Sequence, residues 1–226
     1  LSYDKCFLAY SKFLNELDFP ITSDEYNKLS AVFSKLDEFS VPLTVRTNLA
    51  IYYIKCLRGY TGVFEGKKIS YLTKKDTLSY SNINSIFNDL TCDKALLSKT
   101  AVLKLNGGLG TSMECQGPKS CLSIFENETF LDIIGKQLSY FRNKYDVKVP
   151  LFLLNSRATF QDTRRLVADS FDYYELIQND FPRLDASSLE AVFLDYSSKE
   201  WNPSGHGDVY HVLHNSGWLG GLLDMG

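Results

Sequence analysis

The chain is predicted to be an α/β protein: a parallel sheet flanked by helices, preceded by a mainly helical region. Two runs, Ala101–Leu105 and Leu151–Leu154, are almost continuously apolar, as strands covered on both faces of a parallel sheet are. Between them, Phe130–Tyr145 places Ile133, Ile134, Leu138 and Phe141 on one stripe, the period of an amphipathic helix. Arg157–Phe171 then reads as helix and Tyr174–Gln178 as a third short strand, so strand and helix alternate at the spacing of an α/β sheet.

In chain order, residues 3–17 set Tyr3, Cys6, Phe7, Tyr10, Phe13, Leu14 and Leu17 at three- and four-residue steps, one buried helical face that Pro20 closes. Ser23 is placed to cap a second helix, with Tyr26, Leu29, Val32, Phe33 and Leu36 on one face, before Pro42 breaks it. Leu49–Leu57 is apolar but too short to assign, and residues 62–77 show no period. Tyr80–Leu97 suits short helices packing on the sheet that follows. The expected division is therefore a helical region over 1–97 and a sheet region over 98–226. In the latter, Asp162, Arg164 and Arg165 belong to a wet helix face, Asn179, Asp180 and Pro182 close the third strand, and residues 191–196 suggest a further edge strand.

Composition narrows the possibilities. With 226 residues, 44% of them hydrophobic and 23% charged, the chain can bury a sizeable core. A net charge of −3 lacks the basic footprint of a nucleic-acid binder. No apolar run reaches the roughly 18 residues that a membrane span needs, and the first residues, with Asp4 and Glu16, do not form a signal peptide. The five cysteines, Cys6, Cys56, Cys92, Cys115 and Cys121, are odd in number and without a CxxC pair, which suits reduced thiols and a cytoplasmic address.

The chemistry concentrates in AVLKLNGGLGTSMECQGPKS, residues 101–120. Gly107, Gly108 and Gly110 remove side chains directly after a strand, so backbone N–H groups can close on a planar or anionic ligand. Lys119, after the stiffening Pro118, supplies a point charge for phosphate. The spelling is neither a Walker loop, because Pro118 separates Gly117 from Lys119, nor the dinucleotide fingerprint, which requires glycine where Met113 stands. A second cluster, WNPSGHGD at Trp201–Asp208, holds His206 between two glycines ahead of a helix over Val209–Ser216. Gly205 there allows close backbone approach, and Asp208 reads as the cap of that helix. His206, His211 and His214 could be imagined as a metal triad, but zinc spacings such as HExxH are absent.

LKLNGGLGT followed by GPKS resembles the signature of the eukaryotic-type UTP:glucose-1-phosphate uridylyltransferases (UDP-glucose pyrophosphorylases). Trp201–Asp208 is similar to the WxPPGHGD element of that family, with Ser204 in place of the second proline, and Gln178, Asn179, Pro182 and Arg183 match its QNxxP-basic element. The resemblance implies a Rossmann-like, GT-A-like nucleotidyltransferase fold with a mixed sheet, and residues 98–226 as the N-terminal half of its catalytic domain. It implies nucleotide binding by Leu105, Asn106, Gly107, Gly108, Gly110, Thr111, Lys119, Leu154, Gln178 and Gly205. Gln178 and Gly205 would read the uracil edge, Lys119 the UTP phosphates and His206 the phosphate of glucose-1-phosphate. Lys119 and His206 are thereby the expected catalytic pair, and no metal ligand is expected in this stretch. Leu154 stands where the family commonly has methionine.

The implied reaction is UTP plus glucose-1-phosphate giving UDP-glucose and pyrophosphate with Mg²⁺, by direct attack on the α-phosphorus. The family's acidic segment, second lysine and β-rich C-terminal domain are not in this sequence, so the catalytic domain is expected to be truncated and the isolated chain inactive. A UTP-binding or assembly module without turnover, and a uridylyltransferase for another hexose-1-phosphate, remain open as alternatives.

Overall fold

The computed structural model describes residues 20–38, 41–63, 66, 69–87, 93–109, 117–167, 170–192 and 201–225. The helix expected over residues 3–17 lies outside them, as do Leu90, Gly110, Thr111 and most of the edge strand expected at 191–196.

Helix α1 (Ser23–Glu38) buries Leu29, Val32, Phe33 and Leu36, the expected stripe, apart from Tyr26, which is exposed. Its cap is Thr22 rather than Ser23. The Glu25 N–H donates to Thr22 Oγ1 at 3.3 Å and the Thr22 N–H donates to Glu25 Oε2 at 2.7 Å, a reciprocal pair that needs an acid three residues after the cap. Seen from Ser23, that position is Tyr26. Arg58 Nε donates to Glu25 Oε1 at 2.6 Å, and this hydrogen bond holds the carboxyl at about 2.

Helix α2 (Leu43–Leu57) extends the unassigned segment backwards to Pro42, burying Val45, Leu49, Ala50, Tyr53 and Ile54 against α1. Residues 69–79 contain only a turn, in which Asp76 Oδ2 accepts from the N–H and hydroxyl of Thr73. Helices α3 (Tyr80–Phe87) and α4 (Lys94–Ser98) form where short helices were expected. The second of these buries nothing and leaves Leu96 66% exposed.

The sheet itself consists of β1 (Val102–Asn106), β4 (Leu151–Asn155) and β5 (Tyr174–Ile177), all parallel in the order β1-β4-β5. Two antiparallel ribbons stand beside it: β2 (Ser123–Phe125) with β3 (Glu128–Thr129), and β6 (Asp180–Pro182) with β7 (Trp201–Pro203). Every residue of β4 is buried, as a central strand requires. By contrast β1, expected to be buried, is half-buried at the edge of the described sheet. Its apolar run is the same, but position in the sheet and not composition decides how many neighbours cover a strand.

Side-chain alternation along β4 builds two cores. Leu151 and Leu153 face helix α5 (Phe130–Tyr145) and helix α6 (Phe160–Val167), meeting Leu131, Ile134, Leu138 and Val167. Phe152 and Leu154 face helix α7 (Val209–Asn215) and helix α8 (Trp218–Met225), meeting Val212, Trp218 and Leu222. Each of these four side chains is removed from water, worth about 2 kcal/mol apiece before entropic costs. Thr129 caps α5 through a capping box with Asp132.

The third core belongs to α1 and α2 and is entered by Trp201 of β7, 3% exposed, with Phe181, Leu184 and Ala191 against it. The helical region therefore shares a core with the ribbon that leads to the Ser204–Asp208 loop. A further tie is the Asn48 amide, which donates to His211 Nε2 at 2.6 Å across α2 and α7.

Gly135 marks the tightest packing in α5, since a Cβ there would lie 2.5 Å from Cδ1 of the Phe171 ring. We expect Gly135→Ala to destabilise the fold by about 2 kcal/mol through overpacking. In chemical denaturation this appears as a lower midpoint at unchanged slope; an unaltered midpoint would mean that the ring moves aside freely.

Candidate functional site

Parallel pairing brings Asn106, Asn155 and Ile177 level, so the three strands end at one edge. The segments that follow, Gly107-Gly108, Ser156-Arg157 and Gln178-Asn179, converge there. This carboxyl edge is where open α/β sheets bind ligands.

The glycine loop is held from beneath by short polar side chains. The Asn106 amide donates to Asn155 Oδ1 at 2.6 Å and to Thr163 Oγ1 at 2.9 Å, and its oxygen accepts from the Ser120 hydroxyl. The carbonyl of Asn106 accepts from Thr159 Oγ1 at 2.9 Å, and that of Gly107 from Ser156 Oγ at 2.9 Å. Ser156 and Thr159 also close the first turn of α6, with the Ser156 N–H donating to Thr159 Oγ1 at 3.0 Å. Loop and helix terminus thus share one set of hydroxyls.

Over this floor, the Lys119 N–H donates to the Gly108 carbonyl at 3.2 Å, and a bridge between Leu109 and Pro118 closes the excursion between them. The Lys119 Cδ lies 4.0 Å from where a Gly108 Cβ would stand, so the lysine stem runs across that glycine. Its ammonium is exposed and meets no carboxylate among the described residues. Cys121, at the end of the same turn, is half-buried, and burial pushes its thiol up. Cys115 lies outside the described residues.

Gln178 comes in from β5. Its N–H donates to the Asn155 carbonyl at 2.8 Å, and its carboxamide lies over Gly107, with Nε2 only 2.6 Å from the position of an added Cβ. The side chain is 4% exposed, yet Nε2 has no hydrogen-bond partner among the described residues. A buried amide donor left unpaired costs about 1–3 kcal/mol, and a bound acceptor would recover that cost.

Asn179 docks the second loop. Its N–H donates to Asp208 Oδ2 at 2.7 Å, its amide donates to both carboxylate oxygens at 3.0 and 3.1 Å, and its carbonyl accepts from the Ser204 N–H at 2.9 Å. Asp208 is thus a clasp and not the cap it was expected to be: no side-chain cap hydrogen bond forms at α7. Gly205 adopts φ +99°, a conformation open to glycine, and His206 begins the exposed turn after it. Below, Arg157 Nε donates to Asp180 Oδ2 at 2.6 Å, while burial pushes the Asp180 carboxyl above its ordinary value.

The structure thus brings Gly107, Gly108, Lys119 and Gln178 together directly, and joins Gly205 and His206 to them through Asn179. The side chains of two expected ligand residues are engaged within the fold. The Asn106 side chain bonds Asn155, Thr163 and Ser120, and so positions the loop. Leu154 is wholly buried beside Phe152, Leu176 and Val212, in the core on one face of the sheet. Leu105 is half-buried in β1, and its carbonyl accepts from the Lys104 ammonium at 2.7 Å. Gly110 and Thr111 lie outside the described residues. His211 is engaged by Asn48 and His214 is exposed beside Asn215.

The polar girdle of Asn155, Ser156, Thr159 and Thr163 was not read as functional. Its signal was present, because Ser156 and Thr159 have the three-residue spacing of a helix-capping pair.

Comparison with known proteins assigns the fold to a family. A family model described as UTP--glucose-1-phosphate uridylyltransferase matches residues 49–226. A Musa acuminata protein of that name is 35% identical over 205 residues, covering 88% of this chain and 44% of its own. The Saccharomyces cerevisiae protein of that name is 46% identical over 136 residues, covering 58% and 27%. Among solved structures, a Trypanosoma brucei UDP-glucose phosphorylase superposes with a TM-score of 0.69 at 33% identity, covering 88% of this chain and 42% of that one. A Leishmania major UDP-glucose pyrophosphorylase variant in complex with UDP-glucose gives 0.76 at 28% identity, covering 92% and 43%. The chain spans less than half the length of these relatives. With the family model covering both loops and the three strands that present them, the chain belongs to the UTP--glucose-1-phosphate uridylyltransferase family.

Proposed function

We propose that the protein is a uridylyltransferase that forms UDP-glucose and pyrophosphate from UTP and glucose-1-phosphate. The observation that carries this reading is the unpaired Gln178 amide held over Gly107 at the carboxyl edge of the sheet. It is a buried donor waiting for an acceptor, and a uracil carbonyl supplies one. Lys119, reaching across Gly108, neutralises the phosphates, while Gly205 and His206 receive the base edge and the sugar phosphate from the opposite loop. An oxygen of glucose-1-phosphate attacks the α-phosphorus, the bond from that phosphorus to the bridging oxygen breaks, and pyrophosphate leaves. Positioning and positive charge suffice for such a displacement, and no side-chain nucleophile is needed.

Magnesium is part of the proposed reaction. The described residues contain no group of three His, Cys, Asp or Glu able to hold a metal, so no step is assigned to it. The proposed division is a helical region over 1–97 and the nucleotide-binding half of a catalytic domain over 98–226. Among the described residues no helix is long and apolar enough to cross a membrane. The proposed address is cytoplasmic, which suits the free thiols of Cys56 and Cys121.

The test is coupled pyrophosphate release by the full-length polypeptide carrying these residues, with UTP, glucose-1-phosphate and Mg²⁺. Turnover is expected with glucose-1-phosphate ahead of galactose-1-phosphate. UTP binding without pyrophosphate release would instead make the protein a binding module. Lys119→Ala is expected to lower kcat/KM for UTP about tenfold, one charge-assisted phosphate contact of about 1.5 kcal/mol. An unchanged value would place Lys119 away from the phosphates.

A further inference from the structure

His206 is exposed, and the two glycines beside it have nothing to lean on: a Cβ at Gly205 or Gly207 would find no described atom within 4 Å. A short span without packing of its own takes its position from its ends. Here one residue holds both ends. Before the span, the Ser204 N–H donates to the Asn179 carbonyl at 2.9 Å; after it, the buried Asp208 accepts from the Asn179 N–H at 2.7 Å and from the Asn179 amide at 3.0 and 3.1 Å. The turn between them closes on itself, the Asp208 N–H donating to the Gly205 carbonyl at 3.1 Å and the Val209 N–H to that of His206. We propose that Asn179 is a positioning residue for the transfer reaction, holding residues 205–207 so that the His206 imidazole is set for the sugar phosphate; the proposal rests on the uridylyltransferase reading.

The polarity of the pair is fixed. Asn179 offers Asp208 donors only, a backbone N–H and an amide, and an ionised carboxylate accepts them on both oxygens. That charge is kept at a cost. Asp180 beside it is also buried, and burial, with the Asp208 charge added, pushes the Asp180 carboxyl above its ordinary value despite the hydrogen bond from Arg157. Asp208 also stands directly before α7, where its side chain could cap the helix, yet no cap hydrogen bond forms. Its two oxygens are turned to Asn179 instead.

The experiment is steady-state kinetics of the full-length polypeptide with glucose-1-phosphate at saturating UTP and Mg²⁺, with thermal unfolding of each variant. Asn179→Asp sets two carboxylates against each other and opens the clasp, and kcat/KM for glucose-1-phosphate is expected to fall about tenfold. Adding Asp208→Asn restores a donor facing an acceptor with the charge moved across, and should recover most of the loss. If Asn179→Asp does not fold, Asn179→Ala, which keeps the backbone N–H bond to Asp208, is read in its place. In a His206→Ala background the same change at Asn179 should cost less than about twofold, because the group it acts through is gone. A lower Tm with unchanged kcat/KM would make Asn179 purely structural, and an undiminished loss in the His206→Ala background would show that it acts elsewhere. Either result overturns the role of Asn179 while the uridylyltransferase reading stands. If wild type itself releases no pyrophosphate, both fall.

Discussion

Gly107→Ala is expected to weaken UTP binding by ten- to a hundredfold while leaving the fold close to its original stability. The added methyl would stand 2.6 Å from Gln178 Nε2, closer than real Cβ contacts allow. What lies there is the far end of a flexible side chain, so relief comes by turning the carboxamide away and not by moving the backbone. The cost falls on the ligand, which loses a buried hydrogen bond of about 1.4–2.8 kcal/mol. Gln178→Ala should produce a similar loss by a different route. The two changes together should cost little more than either alone, since each removes the same contact. Additive losses would show that Gly107 serves the nucleotide independently of Gln178.

Asn106→Ala is expected to cost about 3 kcal/mol of folding stability. Truncation strips partners from Asn155 Oδ1, Thr163 Oγ1 and the Ser120 hydroxyl at once, in a place that Asn106 fills at 3% exposure. Orphaning a buried polar group costs about 1–3 kcal/mol, and Thr163 softens the sum because its hydroxyl also donates to the Thr159 carbonyl at 2.8 Å. For a chain of this size the change appears as a fall in Tm of about 6–12 °C. A fall of under 2 °C would mean that the hydroxyls of α6, and not Asn106, hold the glycine loop in place.

What could be read in the sequence followed the range of the interactions involved. The helix Phe130–Tyr145 and the strand Leu151–Asn155 were recognisable because their period and apolar continuity are properties of adjacent residues. The meeting of Gly107 with Gln178 was legible through motif resemblance. Burial was not legible for β1, whose apolar run matches that of β4 but which sits at the sheet edge. Nor could spelling separate Asn106 from its glycine neighbours. Strand alternation turns its side chain inward to Asn155, and that partner stands 49 positions away. The same holds for Asp208, whose place before a helix suggested a cap until Asn179, 29 positions earlier, was found in its carboxylate.

Trp201 opens the strand that ends at the Ser204–Asp208 loop, and its indole is sunk among the side chains of α1 and α2. Through that indole the two helices serve as a foundation for the loop. Loosening them would first be felt as a drifting imidazole at His206, long before the parallel strands themselves gave way.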